Sequence, residues 1–379
     1  MRIVCFSEIQ WRYVRTRKQQ VLARFPADWK ILFLSTIVRG RPNNLLPKRD
    51  GNVVHLCVPV FKNFPQKALR ALFSFPPARF LWNVLLLVWV KTVLLLTGFA
   101  GRERAFYVSN PYYAAILPFF PRRTMLYDCN DDICSFPGAP GWCPAYFSRL
   151  ARDADIVTAV SRGLAGKLTR AGAGEVRVIG NGVDFEQFER SASGPPPAEL
   201  AGMPRPLIGY AGAIAEWFDF DLVARLARRF EEGTVVLIGP VYRSVEERAR
   251  RLDREAGNVL LAGPRPYEEL GGWLAAMDVC IIPLVPNELR RMADPNKLYE
   301  YAAVGRPIVT FPYSESIEAL KGLVRVARGA EDFVRGVEEA VEKGADGEAL
   351  KAFAGSRSWQ SRADELGSLL EDPAGAAAE

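Results

Sequence analysis

Short, almost wholly apolar runs alternate along this chain with stretches whose apolar residues recur every three or four positions. After MRIVCFSE come WKILFLST, NVVHLCVPVF, AFYVSN, RTMLYDC, IVTAVS and VRVIGN, with helical spacing over Arg17–Phe25 and Ala145–Asp153. Runs with so little polar interleaving mark parallel strands covered on both faces, so the pattern predicts a doubly wound α/β sheet. It breaks at SASGPPPAELAGMPRP, residues 191–206, whose Pro, Gly and Ser read as a linker. It then restarts with PLIGYAG, TVVLIGP, NVLLAG, VCIIPL and PIVTFP, separated by helical stretches that include Leu298–Val304. The expectation is two Rossmann-like domains, 1–195 and 196–355, and a closing segment 356–379 with an amphipathic helix over Trp359–Leu370 and a frayed DPAGAAAE tail. Two such halves place a ligand in a cleft between them, at the C-terminal edges of the strands.

One segment departs from this rhythm. Phe80–Ala100 is nearly all apolar and long enough to cross a bilayer, but Lys91 sits at its middle and strands of one sheet flank it. On a helical wheel Arg79, Asn83 and Thr97 share one narrow stripe, and FKNFPQKALRALFSFPPAR upstream adds basic and aromatic residues. A helix lying in the headgroup plane, a buried or interdomain helix and a true span all fit; attachment to an anionic membrane surface leads. The MRIVCFSE start lacks the features of a signal peptide.

Composition narrows the chemistry. The 379 residues carry a single histidine, His55, inside an apolar strand, so His-rich zinc sites and Ser-His-Asp triads lack parts. Six scattered cysteines without paired spacing read as reduced thiols of a cytoplasmic protein. Residues 1–195 hold 27 Lys and Arg against 13 Asp and Glu, whereas 196–379 hold 22 against 30. A basic half joined to an acidic half suggests that the first faces something anionic, and without an aromatic-interleaved basic stripe a nucleic acid is not the expected partner.

The most specific stretch is MADPNKLYEYAAVGRPIVT, residues 292–310. Asp294 is placed to cap a helix whose first turn begins at Pro295, and Gly305 to end it. Lys297 and Glu300, three apart, share one face near the positive helix end. There, backbone N–H groups and Lys297 would neutralise a diphosphate while Glu300 accepts hydrogen bonds from ribose hydroxyls. The same residues would also make a capped helix with an ordinary salt-bridging pair.

PNKLYEYAAVGRPIV resembles the P-x-K-x-x-E-Y…G-x-P-I/V signature of glycosyltransferases of GT-B architecture, near the large family 4. YDCNDD, VTAVSRGL, VIGNGVDFEQF, IGYAGAIAEWFDFDL, NVLLAGPRPYEELGGWLAAMDVCIIPL and SRSWQSRADEL match in order, over about the last two-thirds of the chain. The resemblance implies a second domain that holds a UDP- or GDP-linked sugar as substrate and a first that holds the acceptor. It also implies a final helix crossing back to the first domain, with no metal or other cofactor.

Carried over, Glu300 would bind ribose, and Lys297, with Asn296, the diphosphate. The loop Gly209–Glu216, including Gly212, Ala213 and Glu216, would lie against the phosphates, and Arg265 and Tyr267 near the base. Asn181 and Gly182 would border the cleft, and Gln10 and Trp11, beside Glu8 and Arg12, are acceptor candidates. Two features depart from the family. Met292 stands where many members have a sugar-contacting Glu, and Ala213 and, approximately, Phe218 stand where they have Arg and Lys. The departing diphosphate would then rely on Lys297, the helix end, or Arg243, Arg290 or Arg291. For the base that takes the acceptor proton the choice is Asp131, then Asp132, beyond the RTMLYD strand. The expected activity is transfer of a sugar to a hydroxyl of a lipid-linked saccharide, peripheral on the inner face of the membrane. An NDP-sugar 2-epimerase and a non-catalytic nucleotide-binding relative are the rivals.

Overall fold

The structure, a computed structural model, describes the chain apart from residues 13–14, 39–41, 62–66, 137, 286–290, 319, 321 and 374–379. Arg290, the basic and aromatic residues at 62–66 and the tail beyond Pro373 therefore lie outside the described residues. The chain divides into two compact units, Met1–Gly180 with Trp359–Glu379, and Asn181–Ser358.

Eight strands build the sheet of the first unit: β1 (Arg2–Phe6), β2 (Lys30–Ile37), β3 (Lys48–Asp50), β4 (Val53–Phe61), β5 (Arg104–Val108), β6 (Thr124–Cys129), β7 (Ile156–Ala159) and β8 (Val176–Val178). Their order is β3-β4-β2-β1-β5-β6-β7-β8, all parallel except the antiparallel edge β3. The second unit has six: β9 (Leu207–Ala211), β10 (Thr234–Ile238), β11 (Val259–Gly263), β12 (Val279–Ile282), β13 (Ile308–Thr310) and β14 (Arg325–Val326), ordered β11-β10-β9-β12-β13-β14 and parallel throughout. In each, the chain winds outward one way from the first strand and then reverses, as in dinucleotide-binding folds. The reversal leaves switch points between β1 and β5 and between β9 and β12. Helix starts obey local chemistry: Ser161, Asp219 and Asp346 accept the N–H groups of Leu164, Leu222 and Ala349.

The unit boundary differs from the expected one at 195. Helix Phe185–Ala192 packs on helices Leu270–Ala275 and Asn296–Ala303 of the second unit, and Leu200 is buried in its core. Thr234 bonds the carbonyls of Pro204 and Pro206, so the Pro-rich stretch is sewn to β10 and is no free linker. The chain returns at Ser358/Trp359 rather than at 356, and helix Trp359–Glu371 joins the first unit. Its Trp359, Ala363, Leu366, Leu369 and Leu370 complete an apolar cluster with Val21, Leu22, Phe25 and Trp29. His55 is buried on β4, as expected of a packed strand residue.

Helix Pro76–Leu96 is long and apolar enough to cross a membrane, yet it packs one face on the first unit. Leu86, Val90, Val93 and Leu94 are buried, while Phe80, Leu81, Val84, Leu85, Val88, Trp89, Leu95 and Leu96 are exposed, Leu96 to 81%. The first three exposed pairs fall about one turn apart and form an outward apolar stripe, which the exposed Lys91 and Thr92 interrupt before Leu95 and Leu96. That excludes the fully buried helix within this unit.

Candidate active site

The switch point of the second unit concentrates the expected nucleotide-binding residues. After β9 the chain turns at Gly212, with φ of 150°, and Gly212 N–H donates to the Ile238 carbonyl at 2.8 Å. The loop after β10 turns at Gly239, with φ of 141°, and a side chain there would overlap the backbone of Gly212. Two glycines thus let two loops touch where bulkier residues would part them. The arm of Lys297 lies across Gly212, and its Nζ sits 5.7 Å from the centre of the Tyr210 ring. Tyr210 in turn donates its hydroxyl to the Ala213 carbonyl at 2.9 Å.

Lys297 comes from helix Asn296–Ala303, which is pinned on both sides. The Ala211 N–H donates to the Tyr301 hydroxyl at 2.8 Å, fixing the helix against the end of β9. Asp294 was expected as the helix cap, but Pro295 holds that position and Asp294 makes no capping bond. Its carboxylate accepts instead from the Asn181 N–H at 2.5 Å and the Tyr299 hydroxyl at 2.7 Å. The Asn181 side-chain amide donates to the Asp294 carbonyl at 2.7 Å, so the Asn181–Gly182 turn is locked to the start of this helix. Gly182 fits tightly against the backbone of Arg357 and Ser358.

Glu300 lies one turn beyond Lys297. Burial pushes its carboxyl above the usual range, with the Lys297 charge pulling the other way. It makes no hydrogen bond to any described residue. Asn296 Oδ1, at the helix start, is likewise buried and unbonded. A desolvated carboxylate with free lone pairs beside an ammonium, at a helix N-terminus, is chemically equipped for vicinal hydroxyls and a diphosphate.

Other expected contacts are differently placed. Arg265 stacks on Trp273 at 4.4 Å and pairs with Glu199 at 3.3 Å, and Tyr267 packs edge-on against Phe188, so both stabilise the unit around Pro266. Glu216 is exposed, its carboxyl held below the ordinary range by the Ser244 hydroxyl and its own backbone N–H. Arg243, next to Ser244, is exposed and unpaired among the described residues, and Arg291 is exposed too. Phe218 is buried against Tyr210 and Phe220, part of the core.

In the first unit, the three aspartates after Tyr127 separate by role. Asp128 is buried at the end of β6; Arg17 donates to it at 2.8 and 3.0 Å, Thr158 at 2.8 Å, and Tyr107 through its hydroxyl. Burial would raise its pKa, but these donors outweigh it and hold the carboxyl below the ordinary range. Asp132 is buried and ion-paired with Lys167 at 2.6 Å. Asp131 between them is only half-buried and takes a hydrogen bond from the Asn130 amide at 3.2 Å. Gln10 bonds Asn43 in the loop after β2 at 2.9 Å, and Trp11 bonds Asp50 of β3 and packs on Phe33 of β2, so both tie the loop after β1 to its surroundings in the unit. Sequence reasoning named Glu8 as an acceptor candidate but missed its partners at the β1/β5 switch point. There, buried Glu8 pairs with buried Lys18 and accepts from Ser109 at 3.1 Å and Asn110 at 3.3 Å. The signal for these partners was the polar Ser109–Asn110 directly after an apolar strand.

Residues 205–369 match the family described as Glycosyl transferases group 1. Over 164 residues the chain is 27% identical to TuaH of Bacillus subtilis, a protein with a proposed role as a teichuronic acid biosynthesis glycosyltransferase. That match covers 42% of this chain and 41% of the relative, so it spans about two fifths of the relative's length. Among solved structures, sucrose-phosphate synthase from Thermosynechococcus elongatus superposes with a TM-score of 0.72 at 14% identity, over 98% of both chains. A trehalose-6-phosphate structure from E. coli, bound with UDP-2-fluoro glucose, gives 0.71 at 12% identity, over 98% of this chain and 99% of that one. Anabaena HepE in complex with UDP gives 0.67 at 14%, over 98% of this chain and 100% of that one. These likenesses establish the fold as GT-B.

Proposed function

We propose that this chain is a glycosyltransferase that moves a sugar from a UDP donor to a hydroxyl of a lipid-linked saccharide during cell-surface polysaccharide assembly. The observation that carries the reading is the pairing of Lys297 with an unbonded, desolvated Glu300 beside the glycine-glycine contact of the β9 and β10 loops. The second unit binds the donor, with Glu300 on the ribose hydroxyls and Lys297 and the helix start on the diphosphate. The acceptor oxygen forms a bond to the anomeric carbon as the bond from that carbon to the diphosphate oxygen breaks. Asp131 takes the acceptor proton, and Lys297, with the exposed Arg243, stabilises the departing UDP. Asp131 suits that role better than its neighbours because Asp128 is committed to a buried ion pair with Arg17 and Asp132 to an ion pair with Lys167. The relative with a proposed role in teichuronic acid biosynthesis supports the setting of polysaccharide assembly, and two fold neighbours that hold UDP or a UDP-sugar support the nucleotide.

In the test, purified protein is offered UDP-sugars and a lipid-linked oligosaccharide, and release of UDP is followed. Asp131→Asn is expected to cut turnover at least about 100-fold while leaving UDP affinity within about twofold. Turnover retained in this variant would remove Asp131 from the mechanism. A second expectation concerns pH. Because burial raises the Glu300 pKa above that of an ordinary carboxylate, wild-type affinity for UDP should fall as acid protonates this group. Glu300→Gln should lack that inflection in calorimetric titrations, and superimposable pH profiles would place Glu300 outside the ribose site.

The enzyme works as a peripheral protein on the inner face of the membrane, with the exposed stripe of helix Pro76–Leu96 in the lipid. Each such side chain gains about 1.5–3 kcal/mol when fully buried, so a stripe of this length can hold the protein on a bilayer.

A further inference from the structure

The N-terminal edge of the first sheet, opposite the switch-point end, carries a row of cations. Arg2 of β1 lies in register between Lys30 of β2 and Arg104 of β5. The next link in the row is Arg123, just before β6, whose N–H donates to the Arg104 carbonyl at 2.9 Å. The apolar helix leaves its stripe at this same edge. Arg2 Nη1 donates to the Gly98 carbonyl at 2.8 Å and Arg104 Nη1 to that of Phe99 at 2.9 Å, both just past the exposed Leu95 and Leu96.

Beside this exit is an open depression of about 560 Å3 lined by Arg102, Arg122, Arg123, Phe119, Pro121 and Asp155. Three guanidiniums face one carboxylate, and that carboxylate is occupied, since Asp155 accepts the Met125 N–H at 2.7 Å and lies 3.8 Å from Arg122. Among the described residues the Arg123 guanidinium donates only to the Glu371 carbonyl, which leaves its charge uncompensated. Arg102 is exposed and makes no hydrogen bond or ion pair among the described residues. Arg122 Nε is buried and forms no hydrogen bond, facing Asp155 Oδ2 at 3.8 Å, while Arg122 Nη2 donates to the Asp153 carbonyl at 3.3 Å. Phe119 is 59% exposed at the rim.

Two unpaired guanidiniums, a third that shares one carboxylate, and the exposed Phe119 near the exit of an apolar helix match one kind of ligand, a phosphate joined to an acyl chain. The geometry points to a binding site for the phosphate of an anionic phospholipid, held by Arg102, Arg122 and Arg123 while the stripe from Phe80 to Leu96 lies among the acyl chains. The site rests on the membrane-attachment reading and is independent of the sugar-transfer chemistry. It assigns headgroup charge selection to the arginines and hydrocarbon affinity to the helix.

Vesicle flotation separates these parts. Wild-type protein should float with phosphatidylcholine vesicles containing phosphatidylglycerol and bind plain phosphatidylcholine far more weakly, with added salt reducing the difference. Arg102→Ala/Arg123→Ala should lower partitioning into the phosphatidylglycerol vesicles about 30-fold and leave binding to plain phosphatidylcholine unchanged. The charge-matched control Arg162→Ala/Arg170→Ala, on an exposed helix elsewhere in the unit, should cost less than about threefold. Leu85→Ser/Trp89→Ser should weaken binding to both vesicles. If the two arginine double variants behave alike, or the first matches wild type, the pocket is overturned while membrane attachment stands. Wild-type protein that floats with no vesicle overturns both. Binding of soluble glycerol phosphate as tightly as the lipid, lost in the first variant, makes the site a free-phosphate site and overturns the lipid assignment.

Discussion

Glu300→Ala should weaken UDP binding about 100-fold, with little effect on stability. The wild-type carboxylate is desolvated and has no partner among the described residues, so its capacity is available to a ligand. Two charge-assisted hydrogen bonds from ribose hydroxyls, at about 1.5–3 kcal/mol each, make a loss of about 3 kcal/mol a conservative figure. Removing the carboxylate also ends its burial cost in the free protein, which is why melting temperature should hold steady or rise slightly. Isothermal calorimetry with UDP and with pyrophosphate distinguishes the roles. Pyrophosphate lacks the ribose and should lose little affinity in Glu300→Ala but much in Lys297→Ala. A Glu300→Ala protein that binds UDP like wild type would refute the ribose assignment and with it the main support for sugar transfer.

The largest stability effect is expected at Asp128→Ala, about 3–5 kcal/mol of unfolding free energy. Arg17 and Asp128 are 2% and 1% exposed, and their pairing is supplemented by Thr158, Tyr107 and the Gly180 carbonyl, which accepts from Arg17 at 2.7 Å. Deleting the carboxylate leaves a guanidinium buried without its counter-charge, which costs far more than replacing both partners together. Urea denaturation of Asp128→Ala, Arg17→Met and the double variant Arg17→Met/Asp128→Leu checks this. The double variant should recover most of the loss. A single-variant loss below about 1 kcal/mol would show that water reaches the pair and that the network contributes little to stability.

Most strands were legible in the sequence because both sheets are nearly all parallel and covered on both faces, which forces apolar runs such as LIGYA and TVVLI. The exceptions fail for the same physical reason. The edge strand β3 reads KRD, fully exposed, and β14 is two residues long, so neither carries an apolar signature. Composition marked 191–206 as a linker because Pro and Gly interrupt helices. It could not reveal that Pro204 and Pro206 offer carbonyls to Thr234. At the candidate site, helical spacing put Lys297 and Glu300 on one face, and the family resemblance gave that pair its expected role. Asp294 was not, because an aspartate before a helix start is a cap by local logic, and only the distant Asn181 turn draws its carboxylate away. Arg265 shows the converse. Its place after a strand suggested a ligand contact, whereas Trp273 and Glu199, remote in sequence, engage it. Tertiary partners decided each of these cases, and no window of neighbouring residues contains them.

Because helix Trp359–Glu371 supplies one wall of the cluster around Phe25 and Trp29, the first unit is assembled from two pieces of chain with the entire second unit between them. Vectorial synthesis therefore cannot finish the first unit before the second has been made. Until residues 359–371 emerge from the ribosome, the apolar flank of Val21, Leu22, Phe25 and Trp29 stays uncovered, a nascent surface suited to chaperone capture.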